Sequence, residues 1–241
     1  MAISLTCYQL LKLLKDRGEL PQGGRILEIG KANWYGDASP SVISELIPPD
    51  CNSFVAAELM YELLFDYKPD GDGLVAFDQD PAAVARGAIP VNLNHRRDIA
   101  SEFSTVINHG TAEHVFHISN VFELMHDACE VGGLMIHESP FTGWTSHGFY
   151  CLQPTLFYDV ARDNGYEMVL VATEHLRSRS YQIYDSHEAI LQAKFRDQLP
   201  DHAMLFVAMR KVSDGLFKIP NQAVYAGAAS EFVRQAWREL R

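Results

Sequence analysis

The fold is decided by residues 23–34, which read GGRILEIGKANW. Two glycines introduce the apolar run RILEI, and a further glycine, Gly30, follows it directly. A short apolar run bounded by glycines is typical of a buried β-strand. A carboxylate within that strand, Glu28, and a glycine at its end suit the close approach of a small ligand to the backbone. Taken alone, the same pattern also describes an ordinary turn at a strand end.

Further apolar runs of strand length follow along the chain. They are GLVAFD (73–78), STVIN (104–108), LMIHE (134–138), EMVLVATE (167–174) and HAMLFVAMRKV (202–212), with a weaker candidate in GAIPVNLN (87–94). Helical spacing occurs at 1–20, 39–47, 53–67, 119–129, 153–166, 187–198 and 222–241. Strands that alternate with helices predict an α/β fold, with a parallel sheet covered on both faces.

Polar and ionisable residues crowd the ends of these predicted strands, where open α/β sheets bind their ligands. Asp78 ends the second run, and an acid there can accept hydrogen bonds from both hydroxyls of a ribose. Together with Gly30, it predicts a nucleoside-containing ligand. The loop 139–150 holds Trp144, Phe149 and Tyr150 and is typical of a wall or lid over a substrate. The alternative is that these aromatic side chains only close the edge of the sheet.

Charge and composition exclude several functional classes. The 241 residues include 31 acidic and 20 basic ones, giving a net charge of −11, which opposes general binding to nucleic acid. The four cysteines form no CxxC pair, so a zinc site of that type is excluded. The N-terminal stretch lacks the basic region of a signal peptide, and no run reaches the roughly 18 apolar residues of a membrane helix. We therefore expect a cytoplasmic protein with no nucleic-acid or membrane partner.

In this order, these segments resemble the class I S-adenosylmethionine-dependent methyltransferases over about residues 23–212. GGRILEIG resembles their first motif, Asp78 stands where their ribose-binding acid lies, and CEVGGLMIHE is similar to their turn before the fifth strand. NHGTAEHVFH and HGFYCLQPTLFYDVARDNGY resemble a subgroup associated with modification of small molecules or glycans. The resemblance implies a doubly wound, Rossmann-like sheet of seven strands, mostly parallel with an antiparallel last strand. Helical additions at both termini complete the expected fold.

The resemblance also implies the ligands and the residues that hold them. The cofactor is S-adenosyl-L-methionine, released as S-adenosyl-L-homocysteine, and the expected partner is a small metabolite or sugar. Oxygen is the favoured acceptor atom, and the sequence leaves nitrogen and carbon open. The expected cofactor-binding residues are Glu28, Gly30, Lys31, Asp78, Asn94, Asn108 and Gly110. The expected substrate-binding residues are Trp34, Trp144, Phe149 and Tyr150. The expected catalytic residues are His147 and His114, as candidate general bases, and Glu113, which would hold a histidine or the cofactor amine.

One departure from the family pattern leaves other functions open. The usual GxGxG continues here as Gly30-Lys31-Ala32-Asn33-Trp34, so only the first glycine is kept, and Lys31 could meet the cofactor carboxylate instead. A non-catalytic subunit that binds S-adenosylmethionine is therefore one alternative. A nicotinamide-dependent oxidoreductase is a weaker one, because its GxGxxG fingerprint is missing.

No metal is expected, because the spacing matches no standard zinc motif such as HExxH. The alternative is a metal site in which residues from adjacent strand ends converge: His109, His114, His137 and Glu138.

The expected organisation is an N-terminal helical extension (1–22), the cofactor-binding domain (23–212, with a helical insertion at about 37–70) and a C-terminal helix (213–241). Apolar faces on the two terminal segments must be buried. The sequence leaves three possibilities open for these faces: packing on the parent domain, capping of the substrate, or contact with a second copy in a homodimer.

Overall fold

A computed structural model describes residues 2–35, 51–67 and 73–240. Its strands are β1 (Ala2–Ile3), β2 (Ile26–Ile29), β3 (Asn33–Trp34), β4 (Leu74–Asp78), β5 (Ile89–Pro90), β6 (Phe103–His109), β7 (Cys129–Thr142), β8 (Glu167–His175), β9 (Ser180–Ile183) and β10 (Ala203–Arg210). Its helices are α1 (Leu5–Asp16), α2 (Ser53–Phe65), α3 (Pro81–Val84), α4 (Ile118–Ala128), α5 (Pro154–Asn164), α6 (His187–Phe195) and α7 (Glu231–Glu239), with a 3-10 turn at Ala112–His114. The helix predicted at 39–47 lies outside the described residues.

The main sheet has eight strands in the order β5-β4-β2-β6-β7-β10-β8-β9. Strands β5, β4, β2, β6 and β7 run parallel, whereas β10 is antiparallel to both of its neighbours, β7 and β8. The predicted doubly wound sheet with an antiparallel last strand is therefore confirmed. The chain order reverses between β2 and β6. In open α/β sheets the loops that follow two such strands diverge, and ligands bind in the crevice between them.

Two apolar layers cover opposite faces of this sheet. One layer contains buried side chains of α4, α5 and α6, including Val121, Phe157 and Ile190. The other contains α1 and α2, including Leu11 and Tyr61. The apolar face of α1 is therefore buried within its own chain, which is the first of the alternatives that the sequence left open.

Local sequence sets where helices α1 and α5 begin and end. The hydroxyl of Ser4 accepts a hydrogen bond from the backbone N–H of Cys7 at 2.9 Å, so Ser4 caps α1. Pro154 occupies the first turn of α5, and Gly165 ends that helix with a left-handed φ of 68°. The helix lies within the stretch 153–166 that the sequence predicts to be helical.

Three features of the structure differ from the prediction. Strand β9 adds an eighth strand, antiparallel to β8 at the edge of the sheet. Strands β1 and β3 form a separate parallel pair that places Ile3 beside Trp34. The tail is helical only over α7, because turns that include Gly227 at a φ of 71° occupy the preceding residues and Ser230 caps a new start.

The helices within the described ranges are too short or too polar for any of them to cross a bilayer.

Candidate functional site

The turn after β2 and the end of β4 form the first wall of the crevice. Gly30 has a φ of 86°, a conformation that a residue with a Cβ rarely adopts, and its N–H donates to the carbonyl of Phe77 at 2.6 Å. The next N–H, that of Lys31, donates to Oδ2 of Asp78 at 2.8 Å. Oδ1 of Asp78 accepts the N–H of Asp80 at 2.9 Å. The structure thus brings Gly30, Lys31 and Asp78 together, with Asp78 held by backbone donors on both oxygens.

The side chain of Lys31 turns away from this wall toward α2. Its ammonium group lies 2.6 Å from Oε1 of Glu58 and is almost fully buried. This chain therefore places an ion pair between the turn and the helix. The amine that the sequence assigned to a cofactor carboxylate is thus paired with a protein carboxylate.

Glu28 lies inside β2, beneath the same turn. Its Oε1 accepts the N–H of Ala32 at 3.1 Å, which fixes the loop from below. Burial raises the pKa of Glu28 to about 7, although the charge of Lys31 and the hydrogen bond from Ala32 act in the opposite direction. Trp34 is half-buried in β3 and packs against the α1–α2 layer.

The loop after β5 contributes Asn94, which braces the start of α4. Its Oδ1 accepts the N–H of His117 at 3.1 Å, and its backbone carbonyl accepts Nδ2 of Asn120 at 2.7 Å. These bonds hold the loop in place, so Asn94 acts in this structure as a support for the neighbouring helix.

Asn108 and Gly110 shape the turn that follows β6. Oδ1 of the fully buried Asn108 accepts the N–H groups of Thr111 and Ala112 at 3.1 and 2.9 Å. Gly110 has a φ of 79°, and its N–H donates to the carbonyl of Glu138 at 2.8 Å. A Cβ at Gly110 would lie 3.2 Å from Oε1 of Glu113, so the glycine lets this carboxyl group approach the strand end.

The three expected catalytic residues meet beside this turn. Glu113 is fully buried, and neither carboxylate oxygen has a hydrogen-bond partner among the described residues. Nε2 of the half-exposed His147 lies 3.9 Å from Oε1 of Glu113. The His114 and His147 rings are 5.0 Å apart between centroids, and ligand atoms of all three side chains lie within 4.8 Å of one another.

The environment of this trio favours uncharged forms of two of its members. Burial raises the pKa of Glu113 to about 7, with a smaller contribution from Glu138. Burial lowers the pKa of His114, and the neighbouring His147 lowers it further. A carboxyl group that exchanges its proton near neutral pH, next to an imidazole, can accept or donate a proton during a reaction.

The loop after β7 folds over Glu113. The backbone N–H of Phe149 donates to the Glu113 carbonyl at 2.8 Å, and a Cβ at Gly148 would lie only 2.9 Å from the same oxygen. The Trp144 ring lies 4.8 Å from that of His147, and its Nε1 donates to the carbonyl of Ala203 at 2.8 Å. The Trp144 ring therefore lies beside the group formed by Glu113, His114 and His147.

Phe149 and Tyr150 lie at the outer side of this loop. The Phe149 side chain is exposed and contacts Phe116, with a ring separation of 5.8 Å. The Tyr150 hydroxyl donates to the carbonyl of Phe116 at 2.8 Å. These two aromatic side chains pack on the turn that carries Glu113, and Tyr150 supports that turn.

The four residues of the alternative metal site do not converge. His109 and Glu138 are in contact, but His114 lies with His147, and His137 packs on the rings of Phe122 and Phe157. The cause is strand geometry, because consecutive residues such as His137 and Glu138 point to opposite faces of the sheet.

Two residues that the sequence analysis missed, Cys7 and Glu174, join His109 and Glu138 in a buried polar cluster. Two sequence features could have indicated them: the Cys7 thiol lies on an apolar helix face, and the Glu174 carboxylate lies near the end of an apolar strand.

The comparisons with known proteins identify the fold. No known family profile matches the chain, and no curated protein sequence matches it significantly. Solved structures do match. A geranyl diphosphate methyltransferase in complex with SAM has a TM-score of 0.51 and 14% identity, with 85% of each chain covered. A geranyl diphosphate C-methyltransferase from Streptomyces coelicolor A3(2) has a TM-score of 0.51 and 12% identity over 85% of this chain and 77% of the other.

A third match carries a different description. The cyclase SpnF has a TM-score of 0.50 and 13% identity over 86% of this chain and 82% of the other. Similarity at this level of identity establishes an architecture and leaves the reaction to be argued from the site. The resemblance found in the sequence motifs is thus confirmed for the fold: this chain has the fold of the class I S-adenosylmethionine-dependent methyltransferases.

Proposed function

We propose that the protein binds S-adenosyl-L-methionine over the carboxyl ends of β2, β4 and β6 and transfers its methyl group to a small molecule. The observation that carries this proposal is Asp78, held against the Gly30 turn at the point where the order of the sheet reverses. An acid and a glycine turn at this place suit a ribose and its neighbouring backbone contacts. The structural neighbours described as methyltransferases support the same assignment.

The residues present fit this cofactor. Asp78 uses one lone pair of each oxygen for a backbone N–H, which leaves further lone pairs for the two ribose hydroxyls. Gly30 presents backbone without a side chain, and Asn108 and Gly110 shape the opposite wall. When bound, the cofactor supplies a methyl group on a positively charged sulfur, which needs no further activation.

The remaining task of the chain is to align the acceptor and to remove its proton. We assign proton removal to the pair formed by Glu113 and His147. His147 accepts the proton from a hydroxyl of the acceptor, and the buried Glu113 carboxylate stabilises the resulting imidazolium at 3.9 Å. His114 adjoins the same pair, and Trp144 forms one side of the acceptor pocket. Oxygen is the favoured acceptor atom because a neutral hydroxyl gains most from a base.

Calorimetry with Asp78→Asn tests cofactor binding. The change removes a negative charge and hydroxyl-binding capacity, so the affinity for S-adenosyl-L-methionine should fall at least about tenfold. Asp80→Asn is a matched control. Its side chain caps α3 through the N–H of Ala82, a role that Asn also fills, and it should retain wild-type affinity. Equal affinities for wild type and Asp78→Asn, or binding of NAD instead, would refute the assignment.

A second candidate function is binding of the cofactor without methyl transfer. It is favoured by the Lys31–Glu58 ion pair, which replaces the open glycine loop, and by the match to a protein described as a cyclase. An assay of product release over a panel of hydroxylated metabolites and sugars separates the two. Turnover with any acceptor supports methyl transfer, whereas tight binding of the cofactor without turnover supports the second function.

A further inference from the structure

A second group of reactive side chains lies on the face of the sheet that α1 and α2 cover. The group consists of Cys7 of α1, His109 of β6 and Glu138 of β7. At most 2% of the surface of each residue is exposed to solvent. The Cys7 sulfur lies 3.6 Å from Nδ1 of His109, and Oε2 of Glu138 lies 3.0 Å from the same nitrogen. All three ligand atoms lie within 4.8 Å of one another.

These separations resemble those of atoms that share a tetrahedral metal ion. Zinc–sulfur and zinc–nitrogen bonds of about 2.3 and 2.0–2.1 Å place the two atoms about 3.6 Å apart, which matches the sulfur–nitrogen distance here. A nitrogen and an oxygen on the same ion are about 3.4 Å apart. The carboxylate would therefore move outward by a few tenths of an ångström.

The acidic groups of this region lack a compensating charge. Among the described residues, the only ion-pair partner of Glu138 is His109, and Glu174 has none. The Glu174 carboxyl group contacts that of Glu138 and accepts hydroxyl hydrogen bonds from Ser4 and Thr6 on Oε2. Its Oε1 is fully buried and has no hydrogen-bond partner among the described residues. Two buried acids in contact are stabilised either by a shared proton or by an accompanying positive charge.

We propose that Cys7, His109 and Glu138 bind a divalent transition-metal ion of the zinc class, which fixes α1 to β6 and β7. A thiolate and an imidazole select zinc over magnesium or calcium, which prefer oxygen ligands only. Binding releases the thiol proton of Cys7, while His109 is neutral and coordinates through Nδ1. The Tyr61 ring stacks on that of His109, with centroids 6.4 Å apart, and helps to set its orientation. This metal site is independent of the proposed methyl transfer.

Metal analysis and cobalt substitution of the full chain test this site. The chain purified with zinc in the growth medium should contain about one zinc per molecule. After removal of zinc by a chelator, Co²⁺ should bind and give the near-ultraviolet charge-transfer band of a cobalt–thiolate bond. Cys7→Ser should abolish this band and weaken zinc binding at least about tenfold. Magnesium should not compete.

Two matched variants control for the loss of a buried thiol or imidazole. Cys129 is a free buried cysteine and His137 a buried histidine, and neither belongs to this cluster. Cys129→Ser and His137→Gln should retain the zinc content and the cobalt–thiolate band. The proposal is overturned if the wild-type chain binds neither zinc nor cobalt, or if the band persists in Cys7→Ser. The wild-type result decides the question even if Cys7→Ser fails to fold.

Discussion

At the scale of single residues, Glu113 has the most informative environment. It is fully buried, and within the described part of the chain neither of its carboxylate oxygens has a hydrogen-bond partner. Such a group holds its proton more tightly than usual, and its pKa of about 7 lies where a small change in pH alters its charge. If its charge supports proton removal by His147, turnover should rise as the pH increases through about 7. The rise reflects loss of the proton from Glu113.

Glu113→Gln tests this role directly. The substitution keeps the size of the side chain but removes the charge, so kcat/KM should fall by about 10²–10⁴-fold. The rise in rate near pH 7 should also disappear. His147→Ala should cause a similar loss of turnover with little change in cofactor affinity. Because the two residues act as a unit, the double variant should be about as slow as either single one.

The exposed His95 supplies a control, and His95→Ala should keep both the rate and the pH profile of the wild-type chain. Full activity of either Glu113→Gln or His147→Ala would remove that residue from the mechanism. The rate is measured over a panel of candidate substrates, and the pH profile is measured with any substrate that reacts.

Contacts between residues could be predicted from the sequence when the residues lie close together along the chain or follow adjacent strands. Glu113 and His114 are neighbours in sequence, and His147 follows the adjacent strand, so parallel pairing of β6 and β7 was enough to bring them together. The alternative metal site placed His109 with Glu138, but Cys7 and Glu174 were missed. Cys7 reaches this pair only after α1 has packed across the sheet, and Glu174 only through the strand order β7-β10-β8.

The pairing of Lys31 with Glu58 was also missed. Its geometry depends on how α2 sits beside the β2 turn, which local sequence does not specify.

At the scale of elements, α1 joins the terminal segment to the sheet. Leu10, Leu11 and Leu14 are completely buried in the layer that α1 shares with α2. Replacing Leu11 by alanine should lower the free energy of unfolding by about 2–5 kcal/mol, because it leaves a cavity in this layer. Lys12→Ala, on the exposed face of the same helix, removes only an exposed ion pair with Asp16.

We expect Lys12→Ala to change the free energy of unfolding by less than about 0.5 kcal/mol. Chemical denaturation of both variants provides the measurement. Equal stability of Leu11→Ala and the wild type would show that α1 does not contribute to the core.

The elements themselves were largely predictable, and the exceptions are instructive. The apolar runs of β2, β4, β6, β7, β8 and β10 identified the six main strands, since buried strands have continuous hydrophobic sequences. Strand β9 was missed because Ser180–Ile183 is mostly exposed at a sheet edge and has no such run. The tail helix was predicted too long, because the spacing of Val224 and Ala228 resembled that of a helix although Gly227 adopts a left-handed turn.

At the scale of the whole molecule, buried acids make stability depend on pH. Glu28 has a pKa of about 7 in the folded chain, because of burial, against an ordinary value of 4.5. Between these values the folded state holds a proton that the unfolded state has released. The free energy of unfolding therefore decreases as the pH rises through this window.

Glu28→Gln isolates this contribution. The amide still accepts the hydrogen bond from Ala32 but does not titrate. The stability of the wild type relative to Glu28→Gln should therefore fall by about 3 kcal/mol between about pH 4 and pH 8. Urea denaturation across this range gives the measurement. Glu130→Gln removes an exposed carboxylate, so its free energy of unfolding should vary with pH in the same way as that of the wild type. If the free energy of unfolding of Glu28→Gln also followed that of the wild type across this pH range, the raised pKa of Glu28 would be contradicted.

The hydroxyls that hold α1 to the sheet have a further consequence for synthesis. Ser4 and Thr6 bind Glu174, and 170 and 168 positions separate the partners along the chain. A ribosome that adds about 5–20 residues each second needs roughly 10–30 s to span that gap. During this time α1 can pack on α2 and on the earlier strands, but the carboxylate partner of Ser4 and Thr6 is still missing. The polar anchor between α1 and the sheet can therefore form only after β8 has left the exit tunnel.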